Sequence, residues 1–111
     1  MSEEQNSAPR LVDFDVRPWA IRETRRRAAL ERGVIVSLAV RAVCTDRDLY
    51  SYDILHILRT GLFVGEVEPQ PEGGHSCCLS QRIRGRTAFA KIVIFGVDDL
   101  FVTDCNWEGS S

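Results

Sequence analysis

Hydrophobic and polar positions follow one rule beyond residue 60 and another before it. In the C-terminal half they alternate with the two-residue period of half-buried strands, in four runs at 62–68, 75–83, 88–97 and 100–106. Pro69 and Pro71 with Gly73 and Gly74 separate the first two runs. Arg84, Gly85 and Arg86 form a hairpin turn, and Asp98 with Asp99 a second, tighter one. In the third run Phe89, Val93 and Phe95 share one face and Ala90, Ile92 and Ile94 the other, which predicts a central strand buried on most of both faces.

Before residue 60 the period changes. Ile54, Leu55, Ile57 and Leu58 make a broad helical stripe over 52–60. Ser51 is placed to cap its start, Asp53 to favour the dipole, and Gly61 to end it in a left-handed turn. Pro18 in a first turn and Gly33 beyond Arg32 bracket an earlier helix of about four turns. Between the two helices, residues 34–43 are almost continuously apolar. They read either as a buried helix or as a strand passing into a helical turn, because periodicity does not separate these. Residues 11–17 alternate weakly (Leu11, Asp13 and Asp15 against Val12, Phe14 and Val16), as an extra strand or a segment lying against the domain. The expected architecture is α+β: N-terminal helices followed by a four-stranded antiparallel sheet. It is one domain over 11–108, with a disordered tail at 1–10 and a flexible end at 109–111.

Length and composition narrow the class. A chain of 111 residues is one domain with a modest core. It holds no apolar run near the ~20 residues that span a bilayer, so no membrane association is expected. No basic start followed by a hydrophobic stretch marks a signal peptide, which points to the cytoplasm. Cys44, Cys77, Cys78 and Cys105 lack the CxxC spacing of a metal knuckle or redox pair. His75 with Cys77, Cys78 and Cys105 would suit zinc only if strands converged. Cys77 and Cys78 are adjacent in a strand and point to opposite faces, so buried structural thiols are expected and no cofactor.

The formal net charge is −2, which does not favour a nucleic-acid binder. The distribution is uneven: residues 1–16 sum to −3, 17–47 to +5 and 48–111 to −4. Lys91 is the only lysine, so the positive charge is almost all guanidinium, suited to forked contacts with carboxylates and phosphates. Arg22, Arg25 and Arg26 fall on one face of the first helix, as a partner-contacting surface or an ordinary solvated one. Arg82, Arg84 and Arg86 alternate across the hairpin with Lys91 beyond them, as a phosphate-contacting group or a charged edge that discourages aggregation. His56, between Leu55 and Ile57 on the predicted helix, has no obvious carboxylate partner and reads as structural rather than as a general base, and Glu66, Glu68 and Glu72 read as solubilising. No P-loop, dinucleotide or Ser-His-Asp pattern is present.

The order of motifs resembles a bacterial family of unknown function in the RelE/ParE-like toxin superfamily, over about residues 20–107. The helix Asp53-Ile-Leu-His-Ile-Leu-Arg-Thr-Gly61 is similar to a family helix ending in Leu-Arg-x-Gly. Gly73-Gly-His-Ser-Cys77 is similar to its Gly-x-Trp-x-Cys, with His75 in the aromatic place. Gly85 falls at its hairpin glycine, and Val102-Thr103 resembles its closing strand. None is specific alone; their order and spacing carry the resemblance. The family's His-Ala-x-x-Arg-Met stretch is degenerate here: the histidine position is Ala39 and the first arginine Val43, leaving Arg47 and Leu49. RelE-type toxins look strongly basic and cleave messenger RNA on the ribosome; this chain is acidic. The resemblance therefore implies a scaffold without the chemistry: a non-catalytic protein that binds a macromolecular partner, as an inhibitor or adaptor of a phage or mobile element. The alternative it implies is a ribosome-dependent endoribonuclease of a toxin–antitoxin pair, using Arg82, Arg84, Arg86 and Lys91. A protein partner is expected first and RNA or the ribosome second. Self-association through an exposed strand stays open.

Overall fold

A computed structural model describes residues 16–30 and 32–109. The expected tail at 1–10 and residues 11–15 of the weak alternation at 11–17 lie outside the described residues; Val16 and Arg17, the rest of that alternation, begin a helix rather than a strand. The elements run α1 (Val16–Ala29), β1 (Val34–Val36), α2 (Leu38–Asp46), α3 (Ser51–Thr60), β2 (Leu62–Pro69), β3 (His75–Ile83), β4 (Arg86–Phe95) and β5 (Asp99–Trp107). They form a five-stranded sheet in the order β1-β5-β4-β3-β2. β1 pairs parallel with β5, Val34 opposite Leu100 and Val36 opposite Val102, and every other neighbour is antiparallel. This corrects the expected four-stranded antiparallel sheet: the sheet is mixed, and its fifth strand lies between helices.

The apolar run at 34–43 is thus a strand passing into a helix, the second of the two readings. Ser37 divides it. Its backbone is extended, and its hydroxyl accepts from the Val40 N–H at 3.1 Å, capping α2. The run has no period because neither piece buries a regular stripe. In α2 only Cys44 is buried, and Leu38, Ala39, Ala42 and Val43 stay exposed.

The helices cover one face of the sheet. Leu79, Ala90, Ile92, Ile94, Leu100 and Val102 meet Ala20 and Ala28 of α1 and Ile54, Ile57 and Leu58 of α3, all buried. Each large aliphatic side chain there contributes about 1.5–3 kcal/mol. In β4 the residues of this face are buried, whereas Phe89 and Val93 are half-buried and Lys91 and Phe95 exposed. The expected burial of β4 on both faces is corrected accordingly. Phe101 and Val93 share the open face with exposed Val64 and Leu62.

The end of α3 differs from expectation at both caps. Tyr50, not Ser51, is the N-cap, and its N–H donates to Asp53 Oδ2 at 2.9 Å. Gly61 has φ −70, not a left-handed value. Its glycine is required by close approach: a Cβ would lie 2.6 Å from the Ile57 carbonyl oxygen and 2.8 Å from that of Ser80. The β3–β4 turn has two left-handed positions, Arg84 at φ 48 and Gly85 at φ 84, the backbone of a two-residue hairpin. The second hairpin turns at residues 96–98, slightly earlier than the aspartate pair suggested.

Candidate functional site

Most of the guanidinium groups near α1 face inward, onto backbone carbonyls. Arg25 donates from Nη1 to Leu58 O (2.8 Å) and from Nη2 to Gly61 O (2.6 Å), closing the C-terminus of α3 where the last carbonyls lack helical partners. Its guanidinium lies 5.7 Å from the Phe63 ring centre, and burial lowers its pKa. Arg59 returns the contact, donating to Ala28 O at the end of α1. Arg17 holds β2 through Phe63 O and Gly65 O. Arg27 is only 3% exposed and fastens the β4–β5 turn: Nη1 donates to Phe95 O and Asp99 O and Nη2 to Gly96 O, each at 2.8 Å. Arg26 bonds Glu23 (2.8 Å), Asp98 (2.9 Å) and Val97 O. Those carboxylates raise its pKa, and Arg26 in turn holds the Glu23 carboxyl below the usual range. Arg22 is exposed, with no ion pair or hydrogen bond among the described residues. Of the three arginines singled out on α1, then, Arg25 and Arg26 are bound to α3 and to the β4–β5 turn, and Arg22 alone has a guanidinium without a partner among the described residues.

The hairpin arginines also diverge. Arg82 pairs with Thr87 on the open face, where its Nη2 donates to Gly85 O at 2.6 Å. Arg86 pairs with Ile83 and so stands on the helix side, its guanidinium 4.3 Å from the Trp107 ring centre. Arg84, in the turn itself, donates from Nη1 to Asp53 Oδ1 at 2.9 Å and from Nη2 to the Asp48 carbonyl. The Asp53 bond raises its pKa. Lys91 is exposed on the open face, opposite Asp104, beside a shallow groove of about 350 Å³ lined by Glu66, Glu68, Ser76 and Cys78.

Around Arg84 and Arg86 the fold assembles aromatic groups far apart in sequence. The Tyr50 and Tyr52 rings stack with centres 5.8 Å apart and an interplanar angle of 23°. Tyr52 is 66% exposed. The Tyr50 phenol bonds the Asp48 carboxylate, which raises its pKa. Trp107 closes the floor, its Nε1 donating to Arg47 O at 2.5 Å, and Arg47 pairs with Asp104 at 2.9 Å. Arg47 pairs with Asp104 and Arg84 with Asp48 and Asp53, while Arg86 lies over Trp107, so the three guanidiniums and three carboxylates gathered at this end sum to no net charge. Tyr50 and Tyr52 were legible only as residues flanking a helix start.

The candidates for chemistry lie elsewhere. Burial raises all four thiols: Cys77 is pushed up to about 12, Cys105 further, and Cys44 and Cys78 also upward. None is therefore thiolate near neutrality. His75 packs edge-on against Trp19, with ring centres 5.1 Å apart. His56 is exposed on α3. Among the described residues no three His, Cys, Asp or Glu side chains gather closely enough to hold a metal ion, and no helix is long and apolar enough to cross a membrane. Compared with known proteins, the chain matches no family model, no curated protein and no solved structure.

Proposed function

We propose that this is a non-catalytic protein that binds a protein partner through the end formed by Tyr50, Tyr52, Arg84, Arg86 and Trp107. The observation that carries the reading is the exposed tyrosine stack beside two guanidiniums already fixed by the fold. Tyr, Trp and Arg dominate binding hot spots because each buries a large rigid surface and keeps a polar handle. Here their ordering cost falls on folding rather than on association, which favours affinity. The cancelled charge of the same end argues for protein over RNA, since phosphate binding draws on a net positive field. The protonated thiols, and the apolar Ala39 and Val43 where the resembled family carries histidine and arginine, support a role without catalysis.

The test is affinity capture from nuclease-treated lysate of the source cell, using the wild-type chain, Tyr52→Ala and Arg22→Ala. One near-stoichiometric protein, weakened about tenfold or more by Tyr52→Ala and retained by Arg22→Ala, is the expected result. Retention by Tyr52→Ala, or capture of ribosomes as the main species, contradicts the reading.

A further inference from the structure

The free edges of the sheet are finished in different ways. Along β2, Arg17 occupies the Phe63 and Gly65 carbonyls, a register shift follows between Val64 and Glu68, and Glu66, Glu68 and Pro69 complete the strand. These are the devices that keep an edge from pairing with another chain. Beyond the end of β1, β5 is covered by Arg47, whose Nη1 donates to Cys105 O at 2.5 Å. β1 itself has none of this. It is Val34-Ile35-Val36, three β-branched residues without charge, proline or bulge. No side chain bonds its outer backbone among the described residues.

The register shows which groups are left. Leu100 N–H donates to Gly33 O at 2.7 Å, so the backbone groups of Gly33 and Ile35 face β5. Successive residues of a strand point their N–H and C=O groups to opposite sides. Val34 and Val36 therefore direct theirs outward. These are the donors and acceptors of a short antiparallel ladder, and Val-Ile-Val reads the same in both directions.

We infer that β1 pairs antiparallel with β1 of a second copy of this chain, about a two-fold axis through Ile35. Val34 lies opposite the second copy's Val36 and exchanges both N–H···O bonds with it, and the symmetric pair does the same. The two five-stranded sheets become one. Ile35, 38% exposed beside Phe101 on the open face, meets its own copy at the axis. This register sets residue 38 opposite residue 32 of the second copy. Leu38 (83% exposed) and Leu30 (48% exposed), which flank β1 on its two sides, are thereby brought toward one another across the axis. Arg32 and Arg41, both exposed, remain at the rim. The pairing is independent of the tyrosine–arginine end.

Sedimentation equilibrium of the full chain from micromolar to millimolar concentration tests this, with Ile35→Lys and Leu38→Glu as variants and amide exchange at Val34 and Val36 as a second readout. The wild type is expected at twice its 12.5 kDa mass, with the Val34 and Val36 amides slowing as concentration rises. Ile35→Lys sets two ammonium groups opposite each other and weakens the dimer roughly tenfold or more. Leu38→Glu alters only an exposed helical residue and weakens it too, so the test stands even if one variant fails to fold. A monomer at all concentrations, a dimer indifferent to both variants, or fast exchange of both amides in the dimer overturns the inference.

Discussion

Replacing Arg27 by alanine tests how the arginines of α1 are used. Its three carbonyl bonds, each 2.8 Å, tie the helix to the β4–β5 turn, and its Nε donates to Glu23 at 3.1 Å. Hydrogen bonds to a charged group contribute about 1.5–3 kcal/mol each. The full sum is not lost in the variant, because Phe95 and Gly96 are exposed and their carbonyls regain water. What remains is close to the cost of breaking one buried ionic contact, about 3 kcal/mol. For a domain of this size that lowers Tm by roughly 12–20 °C. Arg27→Lys keeps the charge but not the fork and loses about 2 kcal/mol. Arg22→Ala, on the same helix, stays within about 0.5 kcal/mol of wild type. Urea unfolding with thermal melts measures all three. An Arg27→Ala protein as stable as Arg22→Ala refutes the assignment of these arginines as internal clamps.

Other substitutions probe separate features. Thr24 is fully buried and its hydroxyl has no partner among the described residues. Thr24→Val, which removes that orphan at constant shape, stabilises by about 1 kcal/mol in urea unfolding; a destabilised variant would show that the hydroxyl is satisfied. Gly61→Ala forces a Cβ to within 2.6 Å of one carbonyl oxygen and 2.8 Å of another, and costs about 2 kcal/mol or more in the same assay. Burial lifts the Cys77 thiol from 9.0 to about 12. Because the folded value is raised, its contribution is complete below pH ~9 and is lost as pH rises from there toward about 12. Cys77→Ala should flatten the alkaline fall in stability, and an unchanged slope would place that fall elsewhere.

Parts of this fold are legible in the sequence because local pattern and tertiary setting agree there. β3 and the α3 stripe are read at their observed positions, since one alternates between core and solvent and the other packs one face. β1 is not legible as a parallel strand. Three residues carry no period, and their partner is more than sixty positions away. Ser37, the divider of the apolar run, is informative only once its hydroxyl is seen capping α2. Charge was misleading in a particular way. A run of arginines on a helix looks like a surface for phosphate, yet Arg25 and Arg27 bond backbone carbonyls. The signal available was the abrupt passage from α3 into β2 at Gly61, which leaves carbonyls needing donors from elsewhere. The tyrosine–arginine end was only half visible, because Tyr50 and Tyr52 meet Arg84 through Asp48 and Asp53, across about thirty residues of chain, and Arg86 reaches it only over Trp107.

The measurement that tests the central claim most directly is site-specific photocrosslinking in the source cell. A photoreactive phenylalanine analogue is placed in turn at position 52, on the stacked tyrosine end, and at position 22, on the outward face of α1. The account predicts one protein crosslinked from position 52 and none from position 22. The same protein crosslinked from position 22 alone, or RNA as the main adduct of position 52, would contradict it.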